Sequence, residues 1–82
     1  MLTKYIRAAM ARATYEILED DRTYNGEIPG VQGVWANEPT LEACRRELES
    51  VLEDWLLFGL HRALPIPVLD GIDLNQHREQ VA

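Results

Sequence analysis

Cysteine is almost missing from this chain: Cys44 stands alone among 82 residues. A single thiol closes no internal disulfide and builds no multi-cysteine metal knuckle. Serine is as scarce, with Ser50 the only one, and no histidine stands near it to make a nucleophile. Lysine occurs once, as Lys4, and the arginines do not cluster beyond the pair Arg45-Arg46. No apolar run approaches the ~18 residues that span a bilayer. The opening Met1-Leu2-Thr3-Lys4-Tyr5-Ile6-Arg7 lacks the uninterrupted apolar stretch of a signal peptide. Together these absences lead to the expectation of a reduced, cytoplasmic protein with no membrane contact, no metal and no cofactor.

What is present reads as globular. Hydrophobic residues make up 46% of the chain and charged residues 27%, so disorder is not expected. The length suits one small domain over residues 1–82, divided into a helix at 1–11, a core at 12–69 and a tail at 70–82. Fourteen Asp and Glu against eight Lys and Arg give a formal net charge of -6. Nucleic-acid binding needs basic groups that displace counterions from phosphates, so a direct nucleic-acid partner is not expected. A basic protein is the easier electrostatic match. Short chains also bury a smaller fraction of their surface than long ones, which leads to the expectation of a homodimer or higher oligomer.

Periodicity divides the chain into elements. Apolar residues at Leu2, Tyr5, Ile6, Ala9 and Met10 have helical spacing and predict a helix over residues 2–11. From residue 12 to 19 the period changes to two, with Ala13, Tyr15 and Ile17 alternating against Arg12, Thr14 and Glu16. After the polar Glu19-Asp20-Asp21-Arg22, a second alternating stretch covers Thr23–Ile28, and the short connection predicts an antiparallel hairpin. Pro29-Gly30 is a turn signal, because proline presets one backbone angle and glycine permits a positive one. Residues 31–36, with Val34 and Trp35, complete a three-stranded antiparallel sheet.

Thr40 then caps a long helix predicted over Leu41–His61, with Glu42 in its first turn and Arg46 four residues further on. Near its end, Trp55, Leu57, Phe58 and Leu60 make the helix apolar beyond one stripe, where a surface helix should show a polar back. These four residues, with Tyr5 and Ile6 of the first helix, are the candidate oligomer interface. Tyr15, Ile17, Ile28, Val34, Leu48, Leu52, Trp55 and Leu56 are the expected core between sheet and helix. Pro65 and Pro67 exclude a helix over residues 64–69 but allow a short closing edge strand. The tail from Asp70 onward ends in the polar run Asn75 to Gln80 and is expected to fray. The expected class is therefore α+β, in the order β-β-β-α-β after a short amino-terminal helix.

Catalytic signals are poor. Gly30-Val31-Gln32-Gly33 lacks the lysine and spacing of a phosphate-binding loop. Cys44 falls mid-helix among apolar neighbours, the setting of a packed thiol. His61 and His77 share no ligand spacing with each other or with Cys44, and His61 suits the negative end of a helix dipole. Glu19, Asp20 and Asp21 fall on a hairpin tip, and Glu53-Asp54 point in different directions from their helix. Asp70 and Asp73 flank a turn, and Glu16 is the only carboxylate on a rigid strand beside a long element. Two-metal nucleases need converging carboxylates. The reading is that the chain is not an enzyme.

Several segments, taken in order, point to a family. Tyr15-Glu16-Ile17-Leu18, Tyr24-Asn25-Gly26-Glu27-Ile28-Pro29-Gly30-Val31, Gly33-Val34-Trp35-Ala36, Thr40-Leu41-Glu42-Ala43-Cys44 and Leu64-Pro65-Ile66-Pro67 resemble the pattern of the HicB-like antitoxin family over residues 13–69. The resemblance implies a partial ribonuclease-H-like fold without ribonuclease-H activity. It also implies a protein that neutralises a small basic RNA-cleaving toxin of double-stranded-RNA-binding fold. The alternative is a stand-alone oligomeric relative with a different partner or ligand and no toxin. Such antitoxins usually append a helix-turn-helix or ribbon-helix-helix module. Residues 70–82 are too few for either, a departure from the family's pattern that puts operator binding in doubt.

Overall fold

Alternating residues and two tight turns build the sheet in this computed structural model, which describes residues 1–75. Of the polar run expected to fray, Asn75 is described, while residues 76–82, His77 among them, lie outside the described residues. Strands β1 (Thr14–Leu18), β2 (Thr23–Ile28) and β3 (Val31–Glu38) form an antiparallel sheet in the order β1-β2-β3. Arg22 closes the first turn with φ 56°, and its N–H donates to the Leu18 carbonyl at 2.7 Å. The Pro29-Gly30 turn joins β2 to β3, and Gly30 takes φ 91°, a conformation glycine adopts without steric cost. The register shifts between Glu27 and Ile28 as the strands enter this turn. Tyr15 stands opposite Gly26, and its ring fills the space a side chain there would need. A Cβ on Gly26 would lie 2.9 Å from Tyr15 Cδ1 and 3.1 Å from Cys44 Sγ.

Helix α1 spans Leu2–Ala11 and helix α2 spans Leu41–His61. Thr40 caps α2 as expected, its Oγ1 accepting from the Ala43 N–H at 3.1 Å. The Glu42–Arg46 pair is long, at 3.5 Å, with both side chains 78% exposed, so it adds little. Cys44, Leu48, Leu52, Leu56 and Gly59 form the buried stripe of α2. They meet Ile28, Val31, Val34 and Ala36 of the sheet, while Tyr5 and Ala9 of α1 and Ile66 and Leu69 of the last segment complete the core. At the other end of α2, the Leu64 N–H donates to the Gly59 carbonyl and the Ala63 N–H to the Leu60 carbonyl. This is a Schellman ending with Ala63 in the left-handed position, φ 56°.

The α+β architecture agrees with the sequence, and three details of the sequence reading are corrected. Ile17 is 58% exposed and outside the core. Its row, Ile17–Tyr24–Glu38, lies at the end of the sheet where α2 is only beginning, and Leu41 there is itself exposed. Tyr15 and Trp55 pack against the core but are only partly buried.

The third detail is the closing segment, which runs beside α2 and adds no strand to the sheet among the described residues. Two prolines deprive it of ladder donors, and a side chain takes the place of a strand. Asn75 Oδ1 accepts from the Ile66 N–H at 2.7 Å, and Asn75 Nδ2 donates to the Ile66 carbonyl at 2.9 Å. Ile66 then packs on Gly59, where a Cβ would lie 2.8 Å from Ile66 Cδ1. The first residues of the expected tail are thus held in place, with Leu69 bridged to Ile72 and Asp70 paired to Arg12 at 2.5 Å.

Candidate protein-interaction surface

The sheet has two unlike faces. Gly26, Ile28, Val34 and Ala36 face the helices and are buried. Their neighbours in antiphase, Thr14, Glu16, Asn25, Glu27, Trp35 and Asn37, point the other way; Thr14, Glu16, Glu27 and Trp35 are exposed, and Asn25 and Asn37 are half-buried. Trp35 is 61% exposed there. Register places Glu27 directly opposite Trp35, with Thr14 beyond it, and places Glu16, Asn25 and Asn37 in the next row. Trp35 borders two open hollows, one shared with Asn25, Glu27 and Gln32, the other with Leu18, Asp21, Asn25, Asn37 and, from α2, Glu47. Asn37 Nδ2 donates to Thr23 Oγ1 at 3.0 Å. Glu16 and Glu27 make no ion pair among the described residues.

The residues expected at an oligomer interface separate into two groups. Leu57 and Phe58 are 58% and 54% exposed on α2, and the Arg62 guanidinium stands over the Phe58 ring, 5.0 Å from its centroid. Trp55, Leu60 and Ile6 are half-buried, and Ile6 shares a small groove with Leu2, Leu56 and Leu57. Tyr5 is fully buried in its own subunit, and its hydroxyl donates to the Pro67 carbonyl. It is therefore not available to a partner.

The residues weighed for chemistry are dispersed. Cys44 is buried, its Sγ donates to the Ala36 carbonyl at 3.5 Å, and burial pushes its thiol pKa up, away from the reactive thiolate. Burial likewise raises Tyr15, whose hydroxyl is enclosed without a hydrogen-bond partner among the described residues. His61 is exposed in the last turn of α2. Glu16 points to the open face, away from the carboxylates of α2. Among the described residues no three His, Cys, Asp or Glu side chains converge as metal ligands. No helix among them is long and apolar enough to cross a membrane.

The sequence reading placed Trp35 on a strand but missed its exposure. The signal was its position between Val34 and Ala36: in a strand, a residue flanked by two core positions must point outward.

An open antiparallel sheet with helices on one face and an uncovered tryptophan on the other defines a small α+β domain. The chain belongs to the UPF0150-like family, whose model matches residues 4–67. It is similar to TTHA0281 from Thermus thermophilus, known from a crystal structure, with 45% sequence identity and a TM-score of 0.85, covering 93% of this chain and 94% of that one. No curated protein matches the chain.

Proposed function

We propose that this chain is a non-catalytic protein-binding module of the HicB-like antitoxin type, which binds and neutralises a small basic RNA-cleaving toxin. The observation that carries the reading is the distribution of charge. Residues 13–38 hold six carboxylates (Glu16, Glu19, Asp20, Asp21, Glu27 and Glu38) against Arg22 alone. Such a surface attracts a cationic protein and repels a phosphate backbone. The ordered segments of the HicB-like pattern, from Tyr15 to Pro67, support the same reading, and the family match, over residues 4–67, contains them and takes in most of α1 as well. The test is co-expression with the product of the adjacent reading frame. The expected result is a small basic protein that co-purifies with this chain and cleaves RNA only when freed from it. An adjacent product that elutes separately overturns the reading.

A second reading, self-association without a toxin, is favoured by Leu57 and Phe58, adjacent and more than half exposed on α2. Apolar side chains so placed gain by packing against a second copy, and a two-fold interface uses the same patch twice. Sedimentation equilibrium decides it: a dimer that Phe58→Asp dissociates supports it, and a single species of 9.4 kDa overturns it.

A further inference from the structure

We propose that the open face of the sheet, centred on Trp35 and Glu27, is the docking surface for a cationic protein, received through an arginine side chain stacked on the Trp35 indole. The inference rests on the reading of the chain as a protein-binding module and names the face that module uses. Three observations carry it.

The first is exposure. Trp35 is 61% exposed on a rigid strand, although the core inside it is closed and needs no further cover. Tryptophan is the most enriched residue at the energetic centres of protein interfaces, where it buries a large area at low entropic cost. The second is charge. The three strands carry no lysine or arginine; Glu27 stands directly across from Trp35, Glu16 lies on β1 in the next row, and neither has an ion-pair partner among the described residues. An arginine above Trp35 has its guanidinium plane on the ring and its donors within reach of Glu27. Asn25, between the two carboxylates, offers further donors and an acceptor to the same group.

The third observation selects the occupant. A second copy docked face to face would put the Glu16 and Glu27 carboxylates of both copies into one interface with no lysine or arginine from either sheet, and like charges brought together are penalised. Nucleic acid is repelled by the same carboxylates. The exposed Leu57 and Phe58 lie on α2, on the helical side of the sheet, so self-association through them leaves this face free.

The probe is a hexa-arginine peptide, titrated into the full chain and followed by ¹⁵N–¹H correlation spectra at low salt. The largest changes are expected at the Trp35 indole N–H and the amides of Glu16, Asn25 and Glu27. Trp35→Ala is expected to weaken binding roughly fivefold or more. Glu27→Gln, which keeps size and removes only charge, is expected to weaken it in the same direction if Trp35→Ala fails to fold. Glu53→Gln on α2 is expected to leave it unchanged. Changes centred on the α2 carboxylates Glu49, Glu53 and Asp54 overturn the inference, as does equal affinity in the Glu27 and Glu53 variants. A dimer in solution that Trp35→Ala dissociates also overturns it, since a second copy then occupies the face. Failure of the underlying reading has a different signature: the adjacent gene product does not co-purify while the peptide still maps to the sheet. Co-purification that survives both Trp35→Ala and Glu27→Gln keeps the reading and removes the inference.

Discussion

The hydroxyl of Tyr5 donates to the carbonyl of Pro67 at 2.6 Å, tying α1 to the last described segment across nearly the whole chain. The phenol is fully buried, and Pro67 belongs to a stretch that makes few backbone bonds of its own. Tyr5→Phe keeps the ring and removes the donor, so it leaves a part-buried carbonyl unpaired. The expected cost is about 1 kcal/mol in urea unfolding. Tyr5→Ala also opens a cavity and is expected to cost about 3–5 kcal/mol. Equal stability of Tyr5→Phe and the parent would show that the bond contributes nothing in solution.

Leu52 lies at the centre of the α2 stripe, fully buried between Leu48 and Leu56. Leu52→Ala is expected to destabilise by about 2–5 kcal/mol, the transfer loss plus the cavity left behind. Chemical denaturation measures it directly. A loss below about 0.5 kcal/mol belongs to a surface position and contradicts the packing of this stripe.

Ala63 ends α2 in the left-handed conformation, φ 56°, where its Cβ crowds the backbone. Ala63→Gly relieves that crowding and leaves the two capping bonds in place. It is expected to raise stability by about 1 kcal/mol, less the extra entropy glycine brings to the unfolded chain. A lowered melting midpoint would count against the left-handed cap.

Alkaline pH should weaken the fold. Burial holds the Tyr5 and Tyr15 phenols above their ordinary pKa of 10.0 and the Cys44 thiol above its ordinary 9.0. The unfolded chain therefore loses these protons at lower pH than the folded one. Stability from these groups is complete below the unfolded values and declines as pH rises through the folded ones. Urea midpoints measured from neutral pH to about pH 11 are expected to fall in the upper part of that range. In Cys44→Ala the onset is expected to move up into the tyrosine range. A flat profile would contradict burial of all three groups.

Much of the fold was legible in the sequence because its signals are local. A threonine oxygen reaches an amide three residues on, so Thr40 marks the start of α2 without reference to anything distant. Pro29-Gly30 carries its turn in its own backbone preferences, and the two-residue alternation around it sets the strands. The stripe from Cys44 to Leu56 follows from the helical period alone.

Coverage is what only the tertiary structure decided. Alternation assigns Tyr15 and Ile17 to one side of a strand, but their burial depends on where α2 begins and how far across the sheet it reaches. Tyr15 finds Gly26 and Cys44, whereas Ile17, a row further out, finds water. Strand period turns Trp35 outward, but only the assembled fold, with both helices on the other face, leaves it open to solvent and closes Tyr5 inside the core. The closing segment shows the limit from the other direction: its prolines predicted an extended chain, but not that the carboxamide of Asn75 would satisfy Ile66 where a neighbouring strand was expected. Period and turn chemistry act between near neighbours in the chain, while burial is set by groups that only folding brings together.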